Sequence, residues 1–277
     1  MISIKSFFFL GWICLCANSM EKIESDKLVY AENSVDLKGN VHIESILGLL
    51  EAKVATLHLS QEETLEKAIL EGNVHSFLGQ GQEISCQKAI VDFVDLKAQF
   101  WASPTCSLLY KAVLPRSEIF SIKADYLQLF FARKPELFLE KLEAQEKVSL
   151  DYGVKAHLQG KTLLLEQEEA LTVEQFTLDY ADKDLWIEGK AWTHFLSTGD
   201  IEVEGPSRIE KNLLGSLKIS GKLFGKEKRG EIVSLYSPEL ITFSPKEGHL
   251  LTSYAGARME MDKEYIQLFP HTEKKIF

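Results

Sequence analysis

The sequence predicts an all-β protein built from two stacked sheets. Two segments, 37–60 and 70–93, both contain the letters GNVH, and their glycines Gly39 and Gly72 lie 33 residues apart. Apolar and polar residues alternate through these segments, as in strands with one buried face. Turn residues such as Lys38-Gly39-Asn40 punctuate them. A repeated unit of strands cannot bury its apolar face alone, whereas stacked copies can. We therefore expect an elongated pair of sheets whose inner faces meet.

Weaker copies continue this period along the chain. We call the position of the GNVH glycine in each copy the repeat mark. The copies place this mark at Gly39, Gly72, Pro104, Glu146, Gly189, Gly221 and Gly256. Two of the steps between marks, of 42 and 43 residues, are longer than the rest. These long steps predict insertions around 114–116 and around 165–170.

Two segments carry local helix signals. SQEETLEKAIL (60–70) has a capping-box pattern, and PELFLEKLEAQ (135–145) has Pro135 at a helix-start position. Both occupy the place in the repeat where a strand leads into the next mark. Because tertiary pairing overrides local propensity, we predict strands for both.

Composition bounds the class of protein. The 277 residues are 45% apolar and 26% charged, which suits a packed core, and the net charge is −10. A nucleic-acid partner is disfavoured because phosphate binding needs clustered Lys and Arg. The sequence has one basic cluster, in GKLFGKEKRG, formed by Lys222, Lys226, Lys228 and Arg229. It could contact lipid phosphates or a membrane surface, or it could be a hairpin loop that keeps the protein soluble.

The N-terminus is typical of a secretory signal peptide over residues 1–19. Lys5 precedes an apolar run of about ten residues, and Ala17-Asn18-Ser19 offers a cleavage site. An uncleaved anchor and a lipoprotein signal are the alternatives. The mature domain is then 20–277, with Cys86 and Cys106 as either one disulfide or two reduced thiols.

The pattern of GNV followed by small-x-x-Ala resembles the OstA-like (LptA) family of periplasmic lipopolysaccharide-transport proteins. It is carried by Gly39-Asn40-Val41 with Ala52 and Ala55, by Gly72-Asn73-Val74 with Cys86 and Ala89, and by Glu188 to Ala191. The clearest repeats cover 28–102, and degenerate ones reach 261. Family members are antiparallel β-jellyrolls that hold acyl chains between two sheets.

The resemblance implies a periplasmic bridge or shuttle that carries lipopolysaccharide towards the outer membrane. Its partners would be lipid A, other transport proteins at the inner and outer membranes, and further copies of itself joined head to tail. The candidate groove residues are the apolar residues expected on the inner face: Val41, Ile43, Leu57, Leu59, Val74, Ile90, Val148, Leu163, Leu165, Met259 and Met261. The alternative is that they pack together as a closed core.

No catalytic or cofactor motif stands out, so we expect neither an enzyme nor a cofactor. His42 and His75 hold equivalent repeat positions, but no further metal ligands accompany them, and we expect no metal site. Trp186 and Trp192 flank Gly189 and should face the same way. The alternative function is a non-catalytic structural or protein-docking β-rod of the cell envelope, through exposed strand edges.

Overall fold

The protein is all-β, as the sequence predicts. A computed structural model describes residues 20–269, except 79–80, 114–118, 134–135, 153–155, 168, 213, 230 and 264. The predicted signal peptide at 1–19 lies outside these residues. The described part of the chain contains no α-helix; its helical residues are Gly81 and the 3-10 turn at Ala181–Lys183.

The described residues form twenty-three strands, all paired antiparallel. In chain order they are β1 (Met20–Glu24), β2 (Lys27–Ala31), β3 (Ser34–Ser45), β4 (Gly48–Leu59), β5 (Leu65–Leu78), β6 (Gln82–Asp92), β7 (Lys97–Trp101), β8 (Leu108–Val113), β9 (Ile119–Ala124), β10 (Tyr126–Arg133), β11 (Leu137–Tyr152), β12 (Ala156–Glu166), β13 (Ala170–Tyr180), β14 (Leu185–Phe195), β15 (Asp200–Glu204), β16 (Ser207–Lys211), β17 (Gly215–Ile219), β18 (Leu223–Lys228), β19 (Glu231–Ser237), β20 (Ile241–Pro245), β21 (Leu251–Ser253), β22 (Ala257–Glu260) and β23 (Ile266–Leu268).

The strands stack into two sheets that share one edge, which we call the corner. Each long strand runs through one sheet, bends at the corner and continues in the other; the shorter strands are interrupted there. Sheet I contains β2, one half of each long strand, and then β7, β10, β15, β18, β19, β22 and β23. Sheet II contains β1, the other halves, and β8, β9, β16, β17, β20 and β21. Stacking at about 4.8 Å per strand makes the molecule elongated along this axis.

The GN pair of the repeat forms the bend at the corner. Gly39 and Asn40 in β3 have φ of 74° and 44°, and Gly72 and Asn73 in β5 have φ of 83° and 50°. Glycine adopts this left-handed conformation without steric cost, and Asn adopts it more readily than most residues. The repeated Gly-Asn pair in the sequence therefore corresponds to a repeated bend in the structure.

The small-x-x-Ala pattern marks the other kind of bend. In β4 the bend is one residue, Lys53, which falls between the paired residues Ala52 and Val54. A one-residue bend shifts the in-out alternation of the strand, so Ala52 and Ala55 both lie buried against the interior. Small side chains fit there because the two sheets converge at the corner. Cys86 and Ala89 flank the bend of β6 in the same way.

All seven repeat marks lie at the corner, but one long step is not an insertion. A single strand separates the bends at Gly39 and Gly72, whereas both β12 and β13 run between Glu146 and Gly189. The prediction of an insertion around 165–170 is therefore wrong: the chain makes an extra pass through both sheets. The insertion predicted around 114–116 lies outside the described residues.

The two segments with helix signals are strands. β5 begins at Leu65 and β11 at Leu137, and each is paired on both sides. Ser60 does not cap a helix; its Oγ accepts hydrogen bonds from the backbone N–H groups of Glu62 and Thr64 and shapes the turn before β5. Pairing on both edges satisfies the backbone groups that a helix would otherwise satisfy.

The two tryptophans around Gly189 face opposite ways. Trp192 is buried in the core, with its ring 5.6 Å from that of Phe176. Trp186 lies half-buried on the outer face of sheet II. The expectation of a shared face is wrong because the one-residue bend at Lys190, next to Gly189, shifts the alternation between the two residues.

Candidate functional site

The candidate site is the space between the two sheets. A single continuous cluster of buried apolar residues runs from Val35 near the first strands to Met261 near the last. Both sheets contribute to it through every second residue of each strand. The chain therefore carries an apolar inner face along the full described length of the stack.

Ten of the eleven residues predicted for the inner face lie in this cluster. All ten are at most 7% exposed: Val41, Ile43, Leu57, Leu59, Val74, Val148, Leu163, Leu165, Met259 and Met261. They come from strands spread from β3 to the end of β22. They line the interior as a set but do not converge on one point.

Ile90 is the exception and lies on the outer face. In β6 the buried residues after the bend are Ala89 and Val91, both fully buried, while Ile90 is half-buried opposite Ile69 of β5. Counting every second residue from Cys86 placed Ile90 inside. That assignment is wrong because the one-residue bend at Gln87 shifts the alternation.

The interior is packed in this structure. Large rings fill it, including Trp192, Phe100 and the edge-to-face pair of Tyr110 and Phe120, whose centroids are 6.2 Å apart. A void of about 10 Å³ beside Met259 is no larger than one water molecule. The inner-face residues pack here as a closed core, so an acyl chain could enter only if the sheets separated.

One ionisable pair is buried in the interior. His194 Nε2 of β14 lies 3.5 Å from Glu227 Oε2 of β18, and both side chains are 4% exposed. The carboxylate lies against the Gly199 turn, where an added Cβ would touch Glu227. Sequence reasoning missed this pair, because the two residues are far apart in the chain and only the stacking order brings them together.

The side opposite the corner, which we call the mouth, carries the hairpin turns of both sheets. Near the C-terminal end two lysines cross it. Lys183, in a turn of sheet II, lies 3.3 Å from Asp262 and 3.8 Å from Glu231, both at turns of sheet I. Lys211 donates to the carbonyl of Met261 at 3.4 Å. Further up the stack most buried residues near the turns are apolar, namely Leu47, Leu59, Leu65 and Leu78, and the buried Gln82 is a polar exception.

Both cysteines of the described residues, Cys86 and Cys106, are free thiols. Cys86 is buried at the corner, where burial raises the pKa of its thiol from the ordinary value of 9.0 to about 12. Thiolate is the nucleophilic form of cysteine, so Cys86 is poorly reactive at neutral pH. Cys106 is half-buried at the interruption between β7 and β8.

The remaining polar candidates lie on outer surfaces. Glu51 pairs in register with both His42 and His75, and His42 Nδ1 lies 3.0 Å from its carboxylate. The described residues contain no group of three or more His, Cys, Asp or Glu side chains arranged to hold a metal ion. In the basic cluster, Lys226 is engaged by Asp200 at 2.7 Å.

No protein-family model matches the chain, and no curated protein is significantly similar to it. Among the described residues, none of the helical structure has the length and hydrophobicity needed to cross a bilayer.

Proposed function

We propose that this chain is a periplasmic lipid-binding bridge or shuttle for lipopolysaccharide transport to the outer membrane, holding acyl chains between its two sheets. The observation that carries the proposal is the apolar inner face that continues from Val35 to Met261 through an open-ended stack. The GNV and small-x-x-Ala residues, which form the corner of the stack, are those that resemble the OstA-like family.

Burial of hydrocarbon provides the driving force. Each methylene removed from water contributes about 0.8 kcal/mol, so a chain of a dozen contributes on the order of 10 kcal/mol. A protein with an apolar trough lowers the barrier to crossing water without any chemistry. The net charge of −10 suits binding through the tails, with anionic head groups left outside.

Entry of a chain requires the mouth to open. Over the N-terminal half, apolar side chains such as Leu47 and Leu65 close it. When the two sheets separate at the N-terminal half of the mouth, these side chains lose contacts with one another and gain apolar contacts with the lipid. The free-energy cost of opening there is therefore small compared with the cost of breaking buried polar pairs. The bends at the corner keep the two sheets connected while their outer edges move apart.

Site-specific photo-crosslinking tests this function. A benzophenone amino acid at Ile43 or Val148 should crosslink to lipopolysaccharide presented in vesicles. The same amino acid at the adjacent outward positions, Glu44 and Ser149, should not. Far-ultraviolet circular dichroism confirms that each labelled chain keeps its β structure. Equal crosslinking at inward and outward positions would overturn the proposal.

A second candidate, a protein-docking β-rod, is favoured by one observation. Strand β2 is exposed along its whole length and, within the part of the chain that the structure describes, pairs only with β3, so its other edge can accept a strand from a partner. The packed interior also suits a rod. Benzophenone at Val29 distinguishes the two: a rod gives protein adducts there and no lipid adducts at Ile43.

A further inference from the structure

At the C-terminal part of the mouth, two lysines of sheet II reach the same turn of sheet I. Lys183 ends the 3-10 turn between β13 and β14, and Lys211 ends β16, where it pairs in register with Leu185. Their ammonium groups contact the Asp262 carboxylate and the Met261 carbonyl, which belong to consecutive residues of the turn after β22. These contacts connect the free edges of the two sheets.

The connection extends to a second turn of sheet I. Lys183 Nζ also lies 3.8 Å from the Glu231 carboxylate at the start of β19. The backbone N–H of Met261 donates to the carbonyl of Val233 at 3.1 Å, so the two turns of sheet I are bonded to each other. We use the name latch for the four side chains that meet here: Lys183, Lys211, Glu231 and Asp262.

The turns of sheet II that carry the two lysines are also bonded to each other. The backbone N–H of Asn212 donates to the carbonyl of Asp184 at 3.2 Å, and Asn212 Nδ2 donates to the Asp184 carboxylate at 3.2 Å. These two residues directly follow Lys211 and Lys183 in the chain. The latch therefore joins two braced pairs of turns, so the sheets cannot separate here through the movement of one loose turn.

Burial decides how much the latch resists lipid. Lys211 is 8% exposed and the Lys183 side chain 24%, so their apolar stems cover the interior while their ammonium groups reach the other sheet. Asp262 is 82% exposed, so its contact with Lys183 contributes little by itself. An acyl chain in this part of the interior would place the Lys211 ammonium against hydrocarbon, which offers neither charge nor hydrogen-bond acceptor.

The N-terminal half of the mouth differs in chemistry. Leu47 and Leu65, at 3% and 6% exposed, lie beside the turns there. Hydrocarbon can replace the contacts that such side chains make, because those contacts are apolar and non-directional. At the C-terminal part, by contrast, the buried Glu227 that contacts His194 pairs in register with Ile232, the residue after Glu231. The polar contacts of the interior are thus concentrated behind the latch.

We propose that the latch holds the C-terminal part of the mouth shut, so that the two sheets separate only over the N-terminal half. The consequence for lipid rests on the proposed function: an acyl chain occupies the interior around Ile43 and Val148, whereas Met259 and Met261 remain a closed core. Closure by the latch itself does not depend on any ligand.

Thiol labelling of the full chain without lipid tests the latch. A cysteine replaces either Leu65 at the N-terminal mouth or Ile232 at the C-terminal mouth, which are 6% and 4% exposed. Labelling with a maleimide, located by peptide mass spectrometry and divided by the rate in the unfolded chain, reports how often each site opens. Leu65→Cys should label at least about tenfold faster than Ile232→Cys. Equal rates would overturn the proposal.

Removal of the latch should open the C-terminal part alone. Lys183→Gln with Lys211→Met keeps the stems and removes the polar contacts. It should raise the labelling rate of Ile232→Cys by about tenfold and leave that of Leu65→Cys unchanged. An equal rise at both cysteines would mean a general loss of stability, and it would overturn the latch, as would an unchanged rate at Ile232→Cys.

The matched control makes the same two changes in ion pairs that lie within one sheet. Lys190→Gln with Lys226→Met removes contacts with Glu204 and Asp200, which join neighbouring strands of sheet I. The labelling rate of Ile232→Cys should not change in this chain. A rise as large as that caused by removal of the latch would contradict a specific role for the contacts across the mouth.

Crosslinking separates this proposal from the proposed function. With lipopolysaccharide in vesicles, benzophenone at Met259 should give no lipid adduct in the unmodified chain and should give one after removal of the latch. Adducts at Met259 equal to those at Ile43 in the unmodified chain would overturn the confinement of lipid. Missing adducts at Ile43 with the expected labelling rates overturn the proposed function and support the latch; retained adducts at Ile43 with equal labelling rates overturn the latch alone.

Discussion

At the scale of single residues, the unusual feature is the buried contact between the His194 imidazole and the Glu227 carboxyl group inside an apolar core. Both side chains are 4% exposed. Burying charged groups carries a desolvation penalty, and removal of one partner leaves the other uncompensated. The two side chains meet because β14 and β18 lie on either side of β15.

Glu227→Gln should lower the free energy of unfolding by about 3 kcal/mol, because it removes the carboxyl group that faces the buried His194 imidazole. Replacement of both residues by leucine should recover most of this loss, since two apolar residues can pack in their place. Urea unfolding followed by circular dichroism measures both changes.

The control for this prediction is the exposed pair of His42 and Glu51, whose side chains are 43% and 32% exposed. Glu51→Gln should change the unfolding free energy by less than about 1 kcal/mol, as for other surface ion pairs. If Glu227→Gln costs no more than Glu51→Gln, the buried pair has no particular role in stability.

At the scale of the strand, the bend at the corner is the element that the sequence repeats. β3 and β5 make it with Gly-Asn, but β11 makes the same bend with Glu146 and Lys147, whose φ values are 62° and 50°. Residues other than glycine are strained in this region of backbone space. The third copy of the bend is therefore formed at some cost in stability.

Glu146→Gly should stabilise the protein by about 1 kcal/mol, because it relieves the left-handed strain. Gly72→Ala should destabilise it by about 1 to 2 kcal/mol for the opposite reason, since Gly72 has φ of 83°. Thermal or urea unfolding of the two variants measures the effect.

Glu83→Gly provides the matched control, because Glu83 is an exposed residue inside β6 without a left-handed backbone. There the added chain entropy of glycine should destabilise by about 1 kcal/mol. Destabilisation by Glu146→Gly of the same size as by Glu83→Gly would show that the bend in β11 carries no relievable strain.

At the scale of the whole molecule, the stack formed by the described strands is open at both ends, and each end exposes apolar side chains. Val29 and Tyr30 of β2 are 47% and 55% exposed at the N-terminal end; at the other end, Leu250 and Tyr254 are 63% and 66% exposed. The edge strands β2 and β21 each pair with another described strand on one side only. Open edges with apolar residues favour association.

We expect sedimentation velocity to show association that increases with concentration through head-to-tail contact of these ends. Val29→Lys should weaken it, because a lysine on an edge strand blocks pairing. Phe77→Lys, which changes an exposed residue in the middle of sheet II, should have no such effect. A chain that stays monomeric at high concentration, or equal effects of the two variants, would contradict head-to-tail association.

The period of 33 residues could be recognised from GNVH because a bend of two left-handed residues strongly favours Gly-Asn. Ten of the inner-face residues followed from alternation alone. The faces of Ile90 and Trp186 could not be predicted in this way. The one-residue bends that shift the alternation show no residue preference strong enough to be recognised in the sequence. Lys53 and Gln87 bend their strands with ordinary residues.

The sequence by itself therefore determined the all-β class, the repeat, the position of each corner mark and most of the apolar inner face, since these depend on local pattern and backbone preference. Only the tertiary structure decided that the interior is closed, that His194 meets Glu227 and that Lys183 and Lys211 cross the mouth. The physical reason is that these features depend on how strands distant in the chain are stacked. Alternation within a strand shows which side chains face inwards but carries no information about which residues lie opposite them.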